Sequence, residues 1–173
     1  MIFKHIEESS ENLLRDNGFY KVGFDIDKLV KHLKIELIKK RFDFESDISG
    51  LLAINNNRAV ISVNSTEDVK RQRFTIAHEI GHLTLHSKDQ PFFVNKTSKV
   101  MYRNNASATG EIFKEREANA FAAALLMPRE LISNEIDECE FGGDEAVKHL
   151  AKRFKVSEQA MSFRLSNLGY YIR

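Results

Sequence analysis

The chain has 173 residues, 42% of them hydrophobic and 29% charged, and carries a formal net charge of +1. That length holds one core of useful size, while 26 basic residues against 25 acidic ones exclude a general attraction to nucleic acid or to an anionic membrane. A lone Cys139 excludes an internal disulfide and a cysteine zinc site. No run approaches the roughly 20 apolar residues of a membrane span, and the first eight residues are too polar and acidic for a signal peptide. A cytoplasmic protein without membrane partners is expected.

In chain order, residues 6–17 read as a short helix closed by Gly18. The next helix is capped by Asp25 or Asp27 and buries Leu29, Val30 and Leu33. Residues 35–38, rich in branched side chains, read as a strand. Residues 49–54 and 59–64 flank an Asn-rich tight loop and pair as a hairpin. Three strands in succession predict a small antiparallel sheet rather than an alternating α/β array.

A long helix follows, with Ser65 or Thr66 as its cap. It carries H-E-x-x-H as His78, Glu79, Ile80, Gly81 and His82. Residues four apart lie on one helix face, so the two imidazoles can offer lone pairs to one metal ion. Zinc suits two imidazoles and a carboxylate, with water in the fourth position. Glu79 is placed to take the proton from that water. Phe74, Ile76, Ala77, Ile80, Leu83 and Leu85 make the helix apolar enough to bury the motif. Gly81 costs a helix about 1 kcal/mol relative to Ala, which implies close approach of a strand or a substrate backbone.

Residues 87–110 show little periodicity and read as a functional loop, with residues 92–94 as an edge strand or a substrate-facing flap. Residues 111–127 form a strong helix closed by Pro128. The third ligand should lie here, and Glu115 and Glu117 point about 200° apart, so only one can face a metal. Ala118, Ala120, Ala122, Ala123 and Ala124 permit close packing against another helix. Residues 129–135 make one more helix, and Phe141, Gly142 and Gly143 break the chain. Two short helices around a turn at residues 155–157 then resemble a helix-turn-helix. The second offers only Arg164 as a base and opens with Glu158, which predicts a packed lid and not a sequence-specific DNA reader.

The paired motifs R-x-R-F-T-I-A-H-E-I-G-H-x-x-x-H and E-x-E-A-N-x-F-A-A-x-L-L-M-P resemble the ImmA/IrrE family of zinc metallopeptidases, and the likeness extends over residues 24–170. With the element pattern, the resemblance implies an α+β fold: a small antiparallel sheet packed on a helical, zincin-like (thermolysin-like minimal) core, with a helix-turn-helix-like C-terminal tail. Residues 1–130 would form the peptidase-like domain and residues 131–173 a helical segment packed on it. Carried over by position, His78 and His82 are zinc ligands and Glu79 is the general base and acid. Glu115, four residues before Asn119, is the third ligand, with Glu117 the runner-up and Asn119 behind the ligands. His86, one turn past His82, is expected to act beside Glu79, holding a ligand carboxylate, donating to the oxyanion or capping the helix; Tyr102 is a second oxyanion candidate. The implied substrate is a cytoplasmic helix-turn-helix repressor or antitoxin, bound extended along a sheet edge. The alternative is a regulator or toxin–antitoxin component that acts by protein or DNA binding, with vestigial peptidase activity. An intact Glu79 argues against a merely structural metal.

Overall fold

Polar turns cut the described chain into seven helices and four strands. The computed structural model describes residues 2–42, 48–56, 58–87, 92–96, 107–137 and 142–170. Helix α1 (Ile2–Asp16) buries Ile6, Ser10 and Leu14, spaced one turn apart on a single face. It starts earlier than the periodicity indicates. Gly18, at φ 75°, reverses the chain behind it. Helix α2 (Ile26–His32) is capped by Asp25, whose carboxylate accepts from the Lys28 N–H at 3.2 Å.

The strands are β1 (Glu36–Lys40), β2 (Ile48–Asn55), β3 (Arg58–Asn64) and β4 (Phe92–Lys96). Strands β2 and β3 form the expected hairpin, with Asn55 opposite Arg58. Asn56 turns it at φ 47°, a conformation asparagine tolerates. The expected antiparallel sheet is corrected to a mixed one. The order is β1-β3-β2-β4, and β1 runs parallel to β3, with Glu36 opposite Val60 and Lys40 opposite Asn64. The composition of β1 cannot reveal this, because β3 inserts between two strands that are consecutive in the chain. Residues 92–96 supply the edge strand β4, antiparallel to β2.

Helix α3 (Val69–His86) lies under the sheet against Leu52, Ile61 and Val63, all buried. Its cap is Asp68, not Ser65 or Thr66. The Asp68 carboxylate accepts from Lys70 N at 2.8 Å and Arg71 N at 3.1 Å. Asn64 instead draws Thr66 into a side-chain turn that delays the helix start. Helix α4 (Ser107–Leu126) crosses α3, and also packs on α1. Beyond α5 (Arg129–Asp137), helices α6 (Gly143–Phe154) and α7 (Glu158–Leu168) enclose a turn with Lys155 in the left-handed region and Ser157 as cap. Leu150, Phe154, Val156, Met161 and Leu165 join the same core as α1 and α3. Arg164 is buried too. Its Nε donates to the Met127 carbonyl at 3.0 Å, and its Nη2 to Glu7 Oε2 at 2.7 Å. The α+β class stands, with a mixed sheet. No described helix is long and apolar enough to cross a membrane.

Candidate metal centre

Every residue of α3 from 75 through 82 is buried, so this stretch has no wet face on which to leave its polar side chains. Two close approaches produce that burial. A Cβ on Gly81 would stand 3.2 Å from the Ala118 Cα, the Ala118 carbonyl oxygen and the Phe121 Cβ, so the glycine makes room for α4. The partner is a helix and not the strand or substrate backbone expected for Gly81. On the other side, a Cβ on Gly50 would sit 2.3 Å from Thr75 Cγ2 and 2.9 Å from Glu79 Oε1. Strand β2 therefore lies directly on Glu79. Sequence reasoning passed over Gly50, although a glycine inside a strand often marks such an approach.

Between the two helices, three donor groups converge. His78 Nε2 and His82 Nε2 are 3.0 Å apart. Glu115 places Oε2 3.3 Å from the first and Oε1 3.0 Å from the second. Bond lengths of 2.0–2.1 Å at tetrahedral angles around zinc separate ligand atoms by about 3.3 Å, so this triangle has the right size. Among the described residues these three form the group able to hold a metal ion. Glu117 does not join them; its Oε2 lies 2.9 Å from His86 Nε2. His78 Nδ1 is 3.0 Å from Asn119 Oδ1. A carbonyl oxygen there must receive an N–H, which leaves the lone pair of His78 on Nε2, facing inward. His86 Nδ1 is 3.2 Å from His82 Nδ1.

Electrostatics sharpen the picture. Burial alone would raise the Glu115 carboxyl, yet hydrogen bonds and charge from His78 and His82 hold it down at about 2. Burial lowers His82 and favours the neutral imidazole that a metal requires. An ionised carboxylate and two imidazoles this close share either a proton or a cation. Glu79 contrasts with both. It is wholly buried, and neither carboxylate oxygen has a hydrogen-bond partner among the described residues. Burial, followed by the charge of Glu115, pushes its carboxyl well above the usual range. Such a carboxylate beside an imidazole–carboxylate triangle fits a bound cation and its attendant water, and has no use in a packed core. Tyr102 and Cys139 lie outside the described residues.

A sheet over a helix that carries H-E-x-x-H, completed by a glutamate from a second helix, is the architecture of the zincin class of metallopeptidases. The profile of a peptidase family described as IrrE N-terminal-like domain matches residues 30–166, and the chain belongs to this ImmA/IrrE family. It is 32% identical over 114 residues to the radiation response metalloprotease IrrE of Deinococcus radiodurans, a match covering 66% of this chain and 33% of that protein. It is 25% identical over 137 residues to the metallopeptidase ImmA of Bacillus subtilis, covering 78% and 74% of the two chains. The match thus spans a third of the first relative and three quarters of the second. A Mycobacterium tuberculosis transcriptional regulator shares the fold at a TM-score of 0.64 and 18% identity, over 94% of this chain and 46% of that one.

Proposed function

We propose that the chain is a zinc-dependent endopeptidase, with His78, His82 and Glu115 as metal ligands and Glu79 as general base and acid. The observation that carries this reading is Glu79: a fully buried carboxylate, unpartnered among the described residues and pressed between β2 and the donor triangle. Zinc held there would polarise the scissile carbonyl and acidify the attacking water. Glu79 takes one proton from that water as its oxygen bonds to the carbonyl carbon. The carboxyl then returns the proton to the amide nitrogen as the C–N bond breaks. Asn119 orients His78 by accepting its Nδ1–H.

The substrate in this reading is a cytoplasmic helix-turn-helix repressor or antitoxin, as the family resemblance implies. The named metalloproteases among its relatives support a protein substrate. The burial of Arg164 supports a packing role for the tail, since the one base of α7 is spent on Glu7 and Met127. Co-expression with a helix-turn-helix protein, taken from an adjacent gene where one is encoded there, tests the proposal, with N-terminal sequencing of fragments and metal analysis of the purified chain. About one zinc per chain is expected, with cleavage by the wild type. Glu79→Gln should retain the zinc and leave the partner intact. A zinc-free wild type, or cleavage by Glu79→Gln at the wild-type rate, would overturn it.

A further inference from the structure

The two histidines of the triangle have outer ring nitrogens in different company. Behind His78 stands a neutral amide, Asn119, while behind His82 stands a second imidazole, and behind that a carboxylate. Donor and acceptor roles in this second chain are determined from its far end. A carboxylate only accepts, so Glu117 Oε2, 2.9 Å from His86 Nε2, receives the N–H of that nitrogen. A neutral His86 then carries a lone pair on Nδ1. The group facing it at 3.2 Å, His82 Nδ1, must therefore be the donor. A neutral imidazole has one N–H, so His82 is left with its lone pair on Nε2, directed at His78 Nε2 and Glu115.

We infer that Glu117 and His86 form a carboxylate–imidazole relay that sets the tautomer and ring orientation of His82 for metal binding; this rests on the zinc-site reading above. Both are positioning residues. His86, expected among the catalytic groups, has both ring nitrogens engaged by protein, which removes it as a donor to a reacting oxyanion. Both side chains are mostly buried, His86 4% and Glu117 16% exposed, so water does not compete effectively for either contact. The placement also gives Glu115 and Glu117 separate tasks. Glu115 reaches the inner nitrogens of His78 and His82, and Glu117 reaches the outer nitrogen of His82 through His86.

The relay is tested on the full chain by competing zinc against a chromophoric chelator. Outer partners of this kind typically contribute about 10–100-fold in metal affinity. Glu117→Ala and His86→Ala should weaken zinc by that factor, while Glu117→Gln, whose amide oxygen still accepts from His86, recovers most of it. In the zinc-loaded wild type, proton NMR should show solvent-shielded ring N–H signals from His82 Nδ1 and His86 Nε2, and Glu117→Ala should lose both. Metal-free melting temperatures of Glu117→Gln and wild type should coincide, which separates orientation of the ligand from loss of the fold. Unchanged zinc affinity in Glu117→Ala overturns the relay and leaves the zinc site standing; a wild type that binds no zinc overturns both.

Discussion

Two helix pairs in this molecule are packed with opposite materials. Where α3 crosses α4 the contact is built from Gly81, Ala118 and the Cβ of Phe121, and the buried side chains beside it are His78, Glu79, His82 and His86. Where α6 meets α7 the large buried side chains are Leu150, Phe154, Met161 and Leu165, and the one buried charge, Arg164, is paired with Glu7. Burying four ionisable side chains costs far more than burying four large apolar ones gains back per residue. The first pair is thus a poor use of a core unless the polar groups do something, and the second is a sound use that asks for nothing more. Local departure from good packing marks the candidate metal centre.

The largest expected effects would come from treating the pairs as interchangeable. Glu79→Gln should lower peptide cleavage by about 100-fold or more, the scale of a lost general base, while thermal stability holds or rises because an unpaired buried carboxyl is gone. Steady-state kinetics and calorimetry on one preparation measure both. A stability loss with cleavage intact would dissolve the contrast. In the tail, Phe154→Ala should behave the other way: about 3–5 kcal/mol of stability lost in urea titration, with zinc content per folded chain unchanged.

Smaller changes place the boundary between the pairs. Gly50→Ala drives a methyl group into Thr75 and towards Glu79, and Thr75 is stiff at χ1, so about 1–3 kcal/mol should be lost. Because the strand is displaced from Glu79, turnover should fall by more than the folded fraction does. The least effect is expected at the surface of the tail, where Glu135 accepts from the Arg153 guanidinium at 2.6 and 2.7 Å. That hydrogen bond holds the Glu135 carboxyl below its usual value of 4.5. A folded value below the unfolded one gives stability that is present above pH 4.5 and is lost as pH falls through the folded value. Glu135→Gln should therefore flatten the acid side of the stability profile between those two values and leave neutral-pH zinc binding untouched.

Much of the centre was legible because it is local. H-E-x-x-H needs only helical spacing, whereas Glu115 is preferred to Glu117 only through the family resemblance, since spacing says no more than that one of them can face a metal. What the sequence withheld is set by partners far along the chain. The parallel pairing of β1 depends on where β3 inserts. The engagement of His86 by Glu117 joins residues 31 apart, and that of Arg164 by Glu7 joins residues 157 apart. Spacing rules do not reach such contacts. The cap of α3 was missed for the opposite reason. Several good cap residues lie in a row, and the side-chain turn at Asn64 decides among them.

The contacts of Arg164 have a consequence in time. Its Nε closes the Met127 carbonyl, just past the end of the helix that carries Glu115, Glu117 and Asn119, and its Nη2 reaches Glu7 near the start of the chain. A loop of that length carries an entropic closure cost of about 4–5 kcal/mol, which other contacts must offset first. On the ribosome the bond cannot form until residue 164 has emerged. Until then the far end of the helix that carries Glu115 lacks this fastening. The hairpin and the motif helix lie earlier in the chain, so the donor triangle gains this support from behind only once α7 has docked.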